Sequence, residues 1–245
     1  MNSLPTTQIP NPPENPIIPF IDLSIRNPES EQEVAFSVQL LLLLTVLSLA
    51  PSIIILMTSF LRISIVLDFI KRALSLQQVP PNQVILGISL FLTIFIMWPT
   101  FQDIYTNSFQ PLSEGNLSVA EAFREAETPL RVFMFRQMQG DGGRDNIQLF
   151  MSMRGLDQPN TLADVPTYVL VPAFILNELT IAFKMGILLF IPFIVIDMIV
   201  ASALMSMGMI MLPPVMISMP FKLMLFILID GWGLLTDQIV RSFSG

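Results

Sequence analysis

The chain contains no cysteine and no histidine. The first absence excludes a disulfide framework, a thiolate metal site and a cysteine nucleophile. The second removes the commonest general base, proton shuttle and metal ligand. Charge is scarce as well: 13% of residues are Asp, Glu, Lys or Arg, about half the usual share of a soluble domain. That charge is mostly acidic, 19 acids against 12 bases for a net −7, which argues against nucleic-acid binding and its need for a basic footprint. What fills the chain instead is apolar, 53% of 245 residues, with a mean hydropathy of +0.68. Such a composition cannot supply the polar surface of a soluble domain. Neither a G-x-x-x-x-G-K-[ST] loop nor a G-x-G-x-x-G occurs, and Gly140-Asp141-Gly142-Gly143 matches neither these nor a calcium loop. The serines lack a base to activate them, so no catalytic residue, metal site or cofactor is expected.

Composition divides the chain into four parts. Residues 1–33 are polar and proline-rich, from Pro5 to Pro28, and are expected to be extended or disordered. They have neither the basic start nor the apolar stretch of a secretory signal. Residues 34–98 form a first hydrophobic helical hairpin. Its uncharged run Val38–Met57 is long enough, at about 30 Å, to cross a bilayer core. Pro51 is expected to kink that helix, which continues through Arg62 and Arg72 to the break at Pro80-Pro81. The apolar part of the second arm, Val84–Trp98, is about 22 Å long and short of a span. Residues 99–168 are polar and read as a small soluble insert with one helix over Leu117–Arg136, capped near Ser118, and a glycine loop. Residues 169–245 form a second hydrophobic hairpin, divided at Pro213-Pro214. Each half shows an internal proline (Pro51, Pro192) followed by a Pro-Pro break, which reads either as a duplicated hairpin or simply as a recurrent turn between helices.

Arg62, Lys71 and Arg72 are the basic cluster, so the positive-inside rule places the first hairpin's tip in the cytoplasm and the acidic insert outside. Charges inside apolar helices are expensive and pair or line polar paths. Asp197 and Lys222 share a midpoint with Glu178 and Arg241, which suggests two pairs across one antiparallel hairpin. The pairs serve either as a gate or as neutral fixings of helix register. The methionines cluster too: Met205, Met207, Met209 and Met211 alternate around Gly208. In extended chain they share one side, and deformable thioethers would make a soft plug. Packing of gaps between helices is the plainer use of methionine.

Four runs carry a resemblance. Met57-Thr58-Ser59-Phe60-Leu61-Arg62, Gln77-Gln78-Val79-Pro80-Pro81-Asn82-Gln83-Val84, Pro129-Leu130-Arg131-Val132-Phe133-Met134 and Met219-Pro220-Phe221-Lys222-Leu223-Met224-Leu225-Phe226, with Asp230-Gly231-Trp232, are similar to the FliP family. Its members belong to the export gate of flagella and type III secretion systems. The resemblance covers about residues 35–245. It implies an all-α, membrane-associated subunit of helical hairpins with kinked helices, assembling into a helical channel for unfolded exported polypeptides. It also implies a pentamer of this chain joined by FliQ-type and FliR-type proteins, with FlhA- and FlhB-type export proteins nearby, in the inner membrane and periplasm at the flagellar basal body. Much of such an assembly stands above the lipid plane. The family's methionine-rich pore loop maps onto Met207, Met209 and Met211, with Met205 on the preceding helix. Gln137–Asn146 stands where flagellar relatives usually read T-R-E-x-D-L. The long insert leans flagellar rather than towards a virulence-type homologue. The rival functions are a small-molecule or ion transporter using Asp197, Lys222 and Lys184, and an intramembrane scaffold without a pore.

Overall fold

The computed structural model describes residues 31–76, 79–140, 142–159, 161–209 and 211–244, and among these all regular structure is helical. The proline-rich stretch up to residue 30 lies outside the described residues. Residues up to Ser48 form one unit and Leu49–Gly245 a second.

The first apolar run folds as α1 (Glu31–Leu56) and carries straight through Pro51 as helix. The expected continuation into Arg62 does not form. The Thr58 hydroxyl donates to the Ile55 carbonyl (2.7 Å) and accepts from the Phe60 N–H (3.3 Å). These local bonds compete with the helical ladder, and a turn at Met57–Ser59 separates α1 from α2 (Phe60–Ala73). The α2 helix is amphipathic, burying Ile63, Val66, Leu67 and Ile70 at helical spacing.

The second arm is longer than its apolar core. α3 (Asn82–Ile104) passes through Pro99 into a π-helical turn at Tyr105–Phe109 and α4 (Gln110–Ser113). The whole is a 32-residue helix, about 48 Å long. Composition changes at Pro99, where the insert was expected to begin, but the element does not. The π turn lets the Ser108 hydroxyl donate to the Ala122 carbonyl at 2.6 Å, tying this helix to α5 (Val119–Gln137).

At the start of α5 Ser118 and Glu121 cap each other's backbone N–H groups. The Ser118 N–H holds the Glu121 carboxyl below its ordinary value. That support is present above the usual carboxylate range and is lost as pH falls through the lowered value. The expected glycine loop is shorter than its composition suggests. Gly142 turns the chain at φ +86°, and Gly143 already opens α6 (Gly143–Met153).

The last third is α7 (Thr167–Ser206), α8 (Pro214–Leu228) and α9 (Gly231–Arg241). The arm after Pro213-Pro214 is not a single helix: α8 and α9 meet at 67°. Asp230 adopts φ +51° there, and a Cβ on Gly231 would come within 2.3 Å of the Phe226 ring. Only glycine lets the chain turn so close to that ring.

The core of the second unit lies along α2 and α7. Gly186 allows their close approach, since a Cβ there would meet the Phe69 ring at 2.5 Å. Phe69 in turn meets Phe183 edge-on at 5.3 Å. Helix α1 from Ser37, the 82–113 helix and α7 are each long and apolar enough to cross a membrane, and α8 with α9 makes a fourth if the bent pair is one span.

Candidate functional site: buried ion pairs and an exposed methionine turn

Two charged clusters lie inside the second unit. In the first, the guanidinium of Arg62 on α2 meets Glu178 on α7 through two bonds of 2.9 and 2.5 Å. Both side chains are buried, at 1% and 0% exposure. Arg62 also donates to the Ser242 carbonyl (2.7 Å) and hydroxyl and to the Gln137 side chain (3.3 Å), and lies 3.9 Å above the Phe243 ring. One planar, fully charged group therefore fastens α2, α7, the end of α5 and the residues after α9.

In the second cluster, Lys222 Nζ on α8 lies 2.6 Å from Asp197 Oδ2 on α7. The Ser218 hydroxyl donates to Asp197 Oδ1 at 2.5 Å. The lysine also donates to Ser75 Oγ at 2.9 Å. Ser75 ends α2 in the left-handed region, at φ +59°. Its N–H and that of Leu76 reach back to Arg72 and Lys71, the bond pattern usually built on glycine. The hydroxyl in place of glycine lets the end of α2 join the α7–α8 pair. A cavity of about 570 Å³ opens beside it, lined by Asp68, Lys71, Arg72 and Asn82.

The pairing expected from the shared midpoint differs in its second member. Glu178 faces Arg62, and Arg241 meets Asp237 one turn earlier on α9 at 2.7 Å. The bend at Asp230 takes α9 out of line with α7, so the hairpin register that relates Asp197 to Lys222 does not extend to residue 241. The basic cluster behind the topology argument is spread over three different partners. Arg62 is neutralised by Glu178, Lys71 is buried against the Asn82 side-chain oxygen (2.7 Å), and Arg72 pairs with Asp68.

As far as Met209 the methionine segment is not extended. α7 runs to Ser206, and Gly208 at φ +76° reverses the chain. The N–H groups of Gly208 and Met209 reach back to Met205 and Leu204, a helix-ending motif that needs a left-handed residue. Alternation here follows from a helix end and a turn. Met205, Met207 and Met209 are nonetheless exposed, and Met211 is 99% exposed. Two apolar helices thus meet at a tip of bare thioethers.

The FliP family model matches residues 43–239. The chain is 66% identical over 226 residues to the flagellar biosynthetic protein FliP of Treponema pallidum (strain Nichols), covering 92% of this chain and 83% of that one. It is 60% identical over 211 residues to the protein of that name from Borreliella burgdorferi, covering 86% and 83%. With the Bacillus subtilis protein, also so named, identity is 48% over 221 residues, covering 90% and 98%.

This chain belongs to the FliP family.

Within this FliP-family chain, sequence reasoning missed Arg62, Ser75, Ser218 and Ser242 as members of the buried clusters. A signal for the first was present. Arg62 and Glu178 each have apolar immediate neighbours or lie in a long apolar helix, and each needed an opposite charge. Pairing by distance along one hairpin could not join two residues 116 apart in sequence.

Proposed function

We propose that this chain is a core subunit of the flagellar type III export gate. Several copies, five by the family's implication, surround a gated channel that carries unfolded polypeptides across the bacterial inner membrane. FliQ-type and FliR-type proteins complete the particle, with FlhA- and FlhB-type export proteins as further partners, and it stands in the inner membrane and periplasm at the flagellar basal body. Membership of the FliP family makes the chain a component of the flagellar export apparatus. Its work is transport by shape, with no bond made or broken. Residues 1–33 are a leading segment, 34–98 and 169–245 the two hydrophobic hairpins, and 99–168 the periplasmic insert between them.

The observation that carries this reading is the exposed methionine turn between α7 and α8. A single copy leaves Met205, Met207, Met209 and Met211 bare. Copies brought together around an axis would turn them into an apolar constriction, which dewets and stops ions. Unbranched thioethers part around a moving chain and close behind it. The length of α7, about 60 Å for 40 residues, also exceeds a bilayer core of about 30 Å, which supports a particle standing partly above the lipid. Asp197 and Lys222 act as fixings: the lysine is 1% exposed and turned to Asp197 and Ser75, so the pair offers little to a transported solute.

Replacing Met207, Met209 and Met211 together with alanine is expected to leave assembly intact and open the seal. The purified particle in planar bilayers should then conduct without substrate, where the unaltered particle is tight. An assembled triple variant as tight as the original would make the methionines packing material.

The insert is expected on the non-cytoplasmic side. A cysteine at Ser113, exposed at the end of α4, should react with a membrane-impermeant thiol reagent once the outer membrane is permeable. The chain has no cysteine of its own, so the background is clean. Gly142 is a poorer position, because its φ of +86° strains any side chain. Labelling only after the inner membrane is broken would reverse the topology.

A further inference from the structure

Three cations are buried among the described residues: Arg62, Lys71 and Lys222. Glu178 faces the first at 2.5 Å and Asp197 the third at 2.6 Å. Lys71, 8% exposed, has a neutral partner, the Asn82 side-chain oxygen at 2.7 Å. Asp68, one turn earlier, is held by Arg72 instead, at 2.7 Å and at the surface. A buried ammonium with one neutral acceptor is costly, and an anion relieves it. Nor is the Lys71 ammonium needed to finish its own helix. The carbonyls of Ile70, Lys71 and Arg72 already accept from the N–H groups of Leu74, Leu76 and Ser75 respectively.

Lys71 stands in the wall of the cavity of about 570 Å³ beside Ser75. Other unused donors meet there. Asn82 accepts through Oδ1, and its amide N–H groups have no acceptor among the described residues. Ser75 accepts from Lys222, and its own proton has none either. Asn82 also opens the 82–113 helix, where the cap residue Pro81 makes no side-chain bond. The backbone N–H groups of Asn82 and Gln83 are therefore left at a positive helix end. With Lys71 and Arg72 against Asp68, the wall carries one positive charge in excess. Such a set of donors suits the oxygens of a phosphate.

The apolar surroundings point to the carrier. Leu76 and Val215 complete the wall. From Asn82 the ridge at four-residue spacing continues as Leu86, Leu90 and Ile94, all exposed. It is about 18 Å long, enough for one leaflet of a ~30 Å hydrocarbon core. A cationic hollow beside an apolar ridge has the two-part form of a phospholipid.

We propose that the cavity holds the phosphate of an anionic phospholipid, with Lys71 and Asn82 on its oxygens and the acyl chains along Leu86, Leu90 and Ile94. Basic hollows between apolar helices at the cytoplasmic level suit such headgroups. With the polar insert at the far end of the 82–113 helix, the cavity lies at the end that remains in the bilayer. A protein carboxylate would balance Lys71 as well, but would leave most of the volume and the other donors unfilled. The site is complete within one copy, so the proposal does not depend on how many copies assemble.

The test uses the full chain, co-expressed with its FliQ-type and FliR-type partners, purified in a neutral detergent and stripped of lipid. Phosphatidylglycerol, at about a hundred times its Kd, is expected to raise the thermal midpoint by about 5–10 °C. Phosphatidylcholine or inorganic phosphate should raise it by little. Asn82→Asp sets a carboxylate against Lys71 at a helix N-terminus, so it should fold at least as well and lose the phosphatidylglycerol increment. Lys71→Gln should lose the increment too. An increment that survives Asn82→Asp, or that phosphatidylcholine matches, overturns the site. An equal increment from inorganic phosphate makes it a site for the free ion and overturns the lipid. A carbodiimide link between Lys71 and a carboxylate of a partner protein, absent in Lys71→Gln, puts protein in the cavity and overturns the lipid likewise. A chain that purifies only as a single copy sinks the channel reading and leaves this one to the same increment.

Discussion

Glu178→Ala is expected to destabilise the second unit by roughly 3–5 kcal/mol, the usual cost of stranding one member of a buried ion pair. Arg62 has Glu178 as its carboxylate partner. Without Glu178 it would be left at 1% exposure with the Ser242 and Gln137 oxygens and the Phe243 ring as its remaining partners. Because Arg62 touches the end of α5 and the chain after α9, the loss should spread, and trypsin should cut the C-terminal residues first. Arg62→Met with Glu178→Leu removes both charges and is expected to recover much of the loss, since an apolar replacement of a buried pair is often neutral. Thermal unfolding in detergent, read as a double-mutant cycle over the four proteins, measures the coupling. A Glu178→Ala protein that melts with the unaltered one would mean that the pair contributes nothing.

The second large effect is asymmetric. Lys222 is 1% exposed while Asp197 is 29% exposed. Asp197→Ala leaves a buried ammonium with only the Ser75 hydroxyl, so it is expected to cost about 3–5 kcal/mol and to reduce export strongly. Lys222→Ala leaves a carboxylate that keeps Ser218 and can reach water, and should cost about 1–3 kcal/mol. Exchanging the two residues is expected to restore part of the function, because both serine hydroxyls can turn to donate or accept. Swimming and detergent melting of the three variants would check the order. Equal losses for the two alanine variants would show that burial does not set the cost, and no loss in either would remove the pair from consideration.

How far these clusters were legible depends on sequence separation. Asp197 and Lys222 are 25 residues apart across one turn, and an antiparallel hairpin relates such residues by a shared midpoint. The same rule paired Glu178 with Arg241 and failed, because the hairpin does not stay straight to residue 241. Asp230 and Gly231 bend it, and that bend depends on how close the Phe226 ring lies, a distance no spacing encodes. The helix break at Thr58 was likewise hidden. A threonine in an apolar run is neutral by composition, and only its bonds to Ile55 and Phe60 show that it ends the helix.

The sequence alone determined that this is an all-helical, membrane-associated chain without a cysteine, a histidine or a phosphate-binding loop. It also carried the family, because long runs such as Met219–Phe226 are specific in themselves. Composition and periodicity are sums over neighbouring residues, and they suffice for element type and solvent preference. Tertiary structure decided which lone charges meet, where α7 stops and how its methionines are presented. The Met205–Met211 alternation reads as an extended strand in sequence, yet its Met205–Met209 part is a helix end reversed at Gly208. The reason is physical: backbone bonds from Gly208 and Met209 back to Met205 and Leu204 stabilise the turn, whereas an extended segment there would need a neighbouring strand to satisfy the same groups. Likewise Arg62 is basic surface in any count of charge, and becomes a buried fastening only because α7 brings Glu178 to within 2.5 Å of it.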